Sequence, residues 1–197
     1  MNQQRLIISL AEENKGMLTT QQAVANGISR SMLCYLVKQG KLQRSIRGVY
    51  VLPEVWEDEF LNLQTRFKRG IFSHETALFL CNLTDRTPIY FRMTFPTNYN
   101  LTNPRREKVC CAQIKPELYG LGIEIVESPA GNKLKCYSAE RTLCDILRPP
   151  HQADVQIISE AFKKYVQSRQ KNIPILSEYA KLLGVEKRIR SYLEVLL

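Results

Sequence analysis

The sequence predicts an α+β fold in two parts. Three observations carry that prediction: capped, glycine-ended helices followed by a basic β-rich pair in the first quarter, short β-rich runs in the middle, and three helical stretches at the end. The chain has 197 residues, 44% of them hydrophobic and 24% charged, enough for packed cores and too apolar for disorder. The boundary is expected near residue 55, giving parts 1–55 and 56–197. The second part should be a mixed domain with a small β-sheet and terminal helices.

Within the first part, Gln4 to Asn14 reads as a helix with Leu6, Ile7 and Leu10 on one face, ended by Gly16. Thr19 can cap the next helix, with Gln22 completing a capping box, and Ala23 and Val24 facing inward. Gly27 supplies the turn. Ser29 caps a third helix, Ile28 can staple onto Leu33, and Gly40 ends it where a positive φ is favoured. Leu42 to Ser45 and Val49 to Leu52 then form a hairpin around Ile46-Arg47-Gly48, closed by Pro53. Helix, turn, capped helix and basic hairpin in this order describe a winged helix-turn-helix.

Charge agrees with that reading. Lys and Arg number 28 against 19 acids, for a net charge of +9, and residues 1–52 hold seven cations against Glu12 and Glu13. A polyanion partner is implied. If Leu33, Leu36 and Val37 bury, the opposite face of the third helix presents Arg30, Ser31, Cys34, Tyr35 and Lys38. Recognition helices read bases from their N-terminal residues, and arginine can bridge guanine O6 and N7. Arg30 and Ser31 are thus the expected base readers, with Tyr35 and Lys38 on phosphate or sugar. Lys41, Gln43, Arg44 and Arg47 sit on or beside the wing, and Gln21 and Gln22 open the second helix, whose N-terminal dipole favours phosphate. Gln22 can instead be occupied by capping.

Downstream, a polar, acidic helix is expected around Trp56 to Arg69, with Phe60, Leu63 and Phe67 on one stripe. Ser73-His74-Glu75-Thr76 precedes Ala77-Leu78-Phe79-Leu80-Cys81-Asn82-Leu83, a short helix with Ser73 as its expected cap. Strands are expected at Ile89 to Pro96, Val109 to Ile114, Ile123 to Ser128 and Leu134 to Tyr137, with a turn at Gly131-Asn132. Ser138 caps a helix that Pro149-Pro150 stops, and helices follow at Ala153 to Gln167, Ile175 to Leu183 and Val185 to Leu196.

Chemistry is sparse there. The six cysteines form no CxxC pair and the two histidines, His74 and His151, are distant in sequence, so neither a metal nor any other cofactor is expected. The chain's one Glu-x-Lys, Glu13-Asn14-Lys15, ends a helix rather than following a strand-borne Asp. There is no phosphate loop, G-x-S-x-G or HExxH. Binding is expected rather than catalysis, with structural roles for His74 and for Asp145, the latter as an acceptor for Arg141. Lys163, Lys164, Arg169, Lys171, Lys181, Lys187, Arg188 and Arg190 make the last helices basic, suited to solvent, an acidic partner or more phosphate. The N-terminal apolar stretch is broken by Glu12 and Glu13, and no run of about 18 apolar residues occurs. A cytoplasmic protein with reduced thiols and no membrane partner is therefore expected.

The chain resembles the AbiEi antitoxins, regulators of type IV abortive-infection toxin–antitoxin pairs. The resemblance rests on TTQQAVANGISRSMLCYLVKQGKLQRSIRGVYVLP, FSHETALFLCNLTD and YSAERTLCDILRPP. It implies an autorepressor that binds operator inverted repeats of duplex DNA through Arg30, Ser31, Tyr35, Lys38 and the wing arginines. It implies that residues 70–197 counter a nucleotidyltransferase-like toxin without requiring a stable complex, and it allows a monomer that pairs only on DNA. Two other readings stay open. A repressor that senses a small molecule would show a deep apolar pocket with convergent polar groups in the second part. A nuclease would show clustered carboxylates with a lysine.

Overall fold

The structure is a computed structural model that describes residues 3–53 and 58–196. It divides into two compact units: residues 1–68 with 127–134, and residues 69–126 with 135–197.

The first unit opens with α1 (Gln3–Glu13), which buries Ile7 and Ala11. Strand β1 (Met17–Thr19) follows; the short apolar pair Met17-Leu18 carries no alternating pattern, and sequence reasoning did not foresee it. Helix α2 (Thr20–Ala25) has the capping box anticipated at Thr19 and Gln22. Its C-terminal turn closes with Ile28 N donating to Ala23 O at 2.9 Å and Gly27 N to Val24 O at 3.0 Å. This six-to-one, five-to-two pair needs a left-handed residue, supplied by Gly27 at φ +73°. Val24, expected inside, is 51% exposed, because Ala23 alone turns the short helix onto the core. Helix α3 (Arg30–Lys38) is capped by Ser29, whose hydroxyl accepts from Met32 N. Ile28, Leu33, Leu36 and Leu42 bury in one cluster with Leu18 and Tyr50, each large side chain contributing about 1.5–3 kcal/mol.

Strands β2 (Gln43–Ile46) and β3 (Val49–Val51) join β1 in a sheet of order β1-β3-β2. Tyr50 and Leu18 face the helical cluster, while Met17, Val49 and Val51 form a second cluster with Ile46 and Leu61. Leu61 belongs to α4 (Glu59–Arg66), which covers the sheet's other face. The central strand β3 is therefore buried on both sides, which explains the unbroken apolar run Val49-Tyr50-Val51. Ser45 is the bulged residue between Arg44 and Ile46, and its hydroxyl accepts from Asn62 Nδ2 of α4 at 2.7 Å.

These contacts correct the expected boundary at residue 55. Helix α4 packs with the winged-helix sheet, so the first unit runs to Lys68. The segment at residues 54–57, including the expected helix start at Trp56, lies outside the described residues.

The second unit contains β4 (Ile71–Phe72), α5 (His74–Leu80), β5 (Arg92–Pro96), α6 (Thr102–Arg106), β6 (Cys110–Ile114), α7 (Pro116–Tyr119), β7 (Ile123–Glu127), β8 (Lys133–Tyr137), α8 (Ala139–Asp145), α9 (Val155–Gln167), α10 (Ile173–Leu182) and α11 (Glu186–Leu196). Its five-stranded sheet has the order β6-β5-β4-β8-β7. Strands β5 and β6 run parallel, joined through α6, with Thr94 opposite Ala112, and β4 pairs antiparallel with β5 and parallel with β8. The tip joining β7 to β8 is grouped with the first unit. Helix α8 is buried from Glu140 through Asp145 and packs into a core with Ile158, Phe162, Leu176 and Ile189 of the last three helices.

Two further expectations fail here. Strand β5 begins at Arg92 rather than Ile89; Ile89 is 88% exposed, and Pro88 and Tyr90 lie with it outside the sheet. Ser73 occupies the N-cap position of α5, but its hydroxyl makes no cap bond, being held by Thr94 Oγ1 at 2.9 Å and His74 Nδ1 at 3.0 Å.

Candidate nucleic-acid interface

All ten residues anticipated as DNA contacts are exposed: Gln21, Gln22, Arg30, Ser31, Tyr35, Lys38, Lys41, Gln43, Arg44 and Arg47. The reason is local. Burial of Leu33 and Leu36 leaves Arg30, Cys34 and Lys38, each one turn apart, on the outer face of α3. Arg30 holds the first helical position after the Ser29 cap, the end from which recognition helices reach base edges.

The wing is built to hold its charges out. Arg47 and Gly48 make the turn, with Gly48 at φ +93°. Gly48 O accepts from Thr20 N at 2.8 Å and from Thr20 Oγ1 at 3.3 Å, which ties the tip to the start of α2. Strand β2 is an edge strand, and Gln43 and Arg44, paired with Val51 and Tyr50 ahead of the bulge at Ser45, are both exposed.

Not all ten side chains are equally available. Gln22 Oε1 accepts from Thr19 N and Thr19 Oγ1, both at 2.8 Å, and its Nε2 donates to Asn14 Oδ1 at 3.2 Å. Its amide serves capping. Ser31 Oγ lies 2.8 Å from Ser29 Oγ, and Lys41 Nζ donates to Gln4 Oε1 at 3.4 Å. In contrast, Arg30, Tyr35, Lys38, Arg44 and Arg47 have no side-chain partner among the described residues. Four unpaired cations and a phenol on α3 and the wing can take phosphate oxygens and base edges without breaking any internal bond.

In the second unit the structure joins what the sequence separates. The rings of His74 and His151 meet edge to face with centroids 5.8 Å apart. Arg141 Nε donates to Asp145 Oδ2 at 3.0 Å, the acceptor role expected of Asp145, and Arg148 Nη1 lies 3.5 Å from Asp145 Oδ1. Burial lowers the His74 pKa from 6.5 to about 3, with Arg92 and His151 acting in the same direction. Spacing on α8 announces the Arg141–Asp145 pair, but not its meeting with His74 of α5 or with Arg148 and His151 of the loop after α8. Of the basic terminal residues, Lys164 pairs with Asp85 at 2.6 Å, Arg190 with Glu186 at 3.7 Å, and Arg188 donates to Leu147 O at 2.5 Å. Among the described residues, no group of three or more His, Cys, Asp and Glu is arranged to hold a metal ion, and no helix is long and apolar enough to cross a membrane.

Residues 5–53 match the family described as transcriptional regulator, AbiEi antitoxin. That span is α1 through β3, the helix-turn-helix and its wing. No curated protein matches the chain. Among solved structures, the chain is similar to the crystal structure of RV2827C protein from Mycobacterium tuberculosis, with a TM-score of 0.50 and 15% identity over 97% of this chain and 80% of that one. At that identity the likeness is one of fold.

Proposed function

We propose, from an N-terminal segment that matches the family of AbiEi antitoxin transcriptional regulators over residues 5–53, that the chain binds inverted repeats upstream of its own operon and represses it. The observation that carries this reading is the set of exposed, unpaired cations Arg30, Lys38, Arg44 and Arg47 on α3 and the wing. Arg30 reads base edges, Ser31 assists it, and Tyr35, Lys38, Lys41, Gln43, Arg44 and Arg47 hold backbone. Gln21 approaches phosphate at the start of α2, while Gln22 acts indirectly by fixing that helix. Two copies meet on the repeats, with half-sites about one helical turn or a multiple of it apart; the free protein is a monomer.

The second unit then serves the antitoxic role, countering a nucleotidyltransferase-like toxin in the cytoplasm as part of an abortive-infection defence against phage. It works by binding, not catalysis, and needs no cofactor. Two experiments test the pair of roles. Footprinting on the upstream DNA should protect two symmetric half-sites; an unprotected region would refute repression. Rescue of cells expressing the neighbouring toxin should require residues 70–197; rescue by residues 1–68 alone would refute the division of labour.

A further inference from the structure

The second unit contains a cavity of about 300 Å³ whose wall is unusually cationic. Arg105, Arg141 and Arg148 all line it, and among the described residues the one acid in the wall is Asp145. That carboxylate is already committed to Arg141 and Arg148. Arg92 stands behind His151, with Nη1 3.4 Å from its Nδ1, and spends its Nε on Glu75 at 3.0 Å.

Arg141 is the telling residue. Its side chain is fully buried. Nε serves Asp145, Nη1 donates to Leu118 O at 2.9 Å and Leu121 O at 3.0 Å, and the guanidinium stacks on Tyr137 with Cζ 4.4 Å from the ring centroid. Nη2 is buried and has no partner among the described residues. A charged donor left unsatisfied in a protein interior is costly. Arg141 lines the cavity, and Nη2 is the nitrogen of its guanidinium left without a partner among the described residues.

We propose that this cavity binds the phosphate group of a small phosphorylated molecule. Three guanidinium groups against one carboxylate match a dianion, and arginine presents paired donors that fit phosphate oxygens. Arg141 Nη2 contributes the buried contact, while Arg148 and the exposed Arg105 supply the outer ones. His74 is held neutral by burial and the surrounding arginines, so it offers a ring nitrogen without adding a competing proton equilibrium near pH 7. The volume exceeds that of a bare oxyanion, and Leu101, Ile114 and Pro149 give the organic portion an apolar wall. This site lies wholly in the second unit, so it stands or falls independently of DNA binding.

The two histidines of the chain both line this cavity, which makes their ring resonances a local reporter. The full-length protein is titrated at constant ionic strength with inorganic phosphate, with adenosine monophosphate, and with chloride as control, and the two imidazole C–H signals are followed by NMR. Phosphate or the nucleotide should shift both signals saturably while chloride does not. Tighter binding of the nucleotide is the expected result, whereas equal or tighter binding of inorganic phosphate would show a site for the free anion and overturn the proposal of a phosphorylated molecule. Arg105→Ala with Arg148→Ala should weaken binding roughly tenfold or more. Arg105→Ala alone, at an exposed position without a side-chain partner among the described residues, should weaken it with unchanged thermal unfolding. No shift with either phosphate, the same shift with chloride, or unaltered affinity in Arg105→Ala would overturn the proposal.

Discussion

The Asp58 carboxylate accepts a hydrogen bond from Asn132 Nδ2 at 2.9 Å, across 74 positions of sequence. The same Oδ2 accepts from Ser128 Oγ at 2.5 Å, and Oδ1 caps α4 through Leu61 N at 3.2 Å. One buried side chain thus starts the helix that covers the winged-helix sheet and holds the tip between β7 and β8. Asp58→Ala removes the cap, worth about 1 kcal/mol, and deprives the buried Ser128 hydroxyl and the half-buried Asn132 amide of their acceptor, at about 1–3 kcal/mol more. Urea unfolding should show a loss of roughly 2–4 kcal/mol; a loss below about 0.5 kcal/mol, the range of ordinary surface changes, would show that the tie is incidental.

Gly48→Val should damage the wing. A β-branched residue at φ +93° costs about 1–2 kcal/mol, and the shifted turn would loosen the bond from Thr20 N to Gly48 O. Thermal unfolding should move down and DNA affinity should fall with it. A variant as stable as the parent would mean that the turn readily adopts another conformation.

Salt dependence separates phosphate holders from base readers. Lys38→Ala and Arg47→Ala should each flatten the log–log plot of affinity against salt by about 0.9 and weaken all duplexes alike. Arg30→Ala should instead narrow the gap between operator and unrelated DNA by about 1–3 kcal/mol. The reverse pattern in an anisotropy titration would exchange the roles assigned to the two ends of α3.

Much of the first unit was legible because its signals are local. Thr19 with Gln22, Ser29 before Arg30, and Gly27 and Gly40 after their helices state caps and turns within a few residues. The exposed face of α3 follows from the spacing of Leu33 and Leu36. What escaped depended on distant partners. Strand β1 exists because Met17 and Leu18 pair with Val51 and Tyr50. Helix α4 belongs with the first unit because Leu61 covers Val49 and Val51. Ser73 looked like a cap, but Thr94 holds its hydroxyl. The His74–His151 contact and the orphaned nitrogen of Arg141 arise from packing among α5, α8 and the loop after α8, which no periodicity encodes.

His74 carries a pH signature. Its folded pKa of about 3 lies below the ordinary 6.5 because of burial and Arg92. Above pH 6.5 both states are neutral and the residue contributes no pH dependence. Below it the unfolded chain takes up a proton that the folded chain refuses, so stability falls as pH drops, by about 1.4 kcal/mol per pH unit until pH approaches 3. His74→Asn does not titrate and tolerates the positive φ of 51°. Its unfolding free energy should decline less between pH 6.5 and 5 than that of the parent. Parallel declines would mean that His74 is protonated in the folded protein.

The central claim, that α3 and the wing form a DNA-reading surface, is tested most directly by anisotropy on a labelled duplex from the chain's own upstream region. The parent protein should bind it in preference to an unrelated duplex at the same salt. Arg30→Ala combined with Arg44→Ala should abolish that preference while thermal unfolding stays unchanged, since neither side chain has an internal partner among the described residues. Undiminished, selective binding by the double variant would contradict the account.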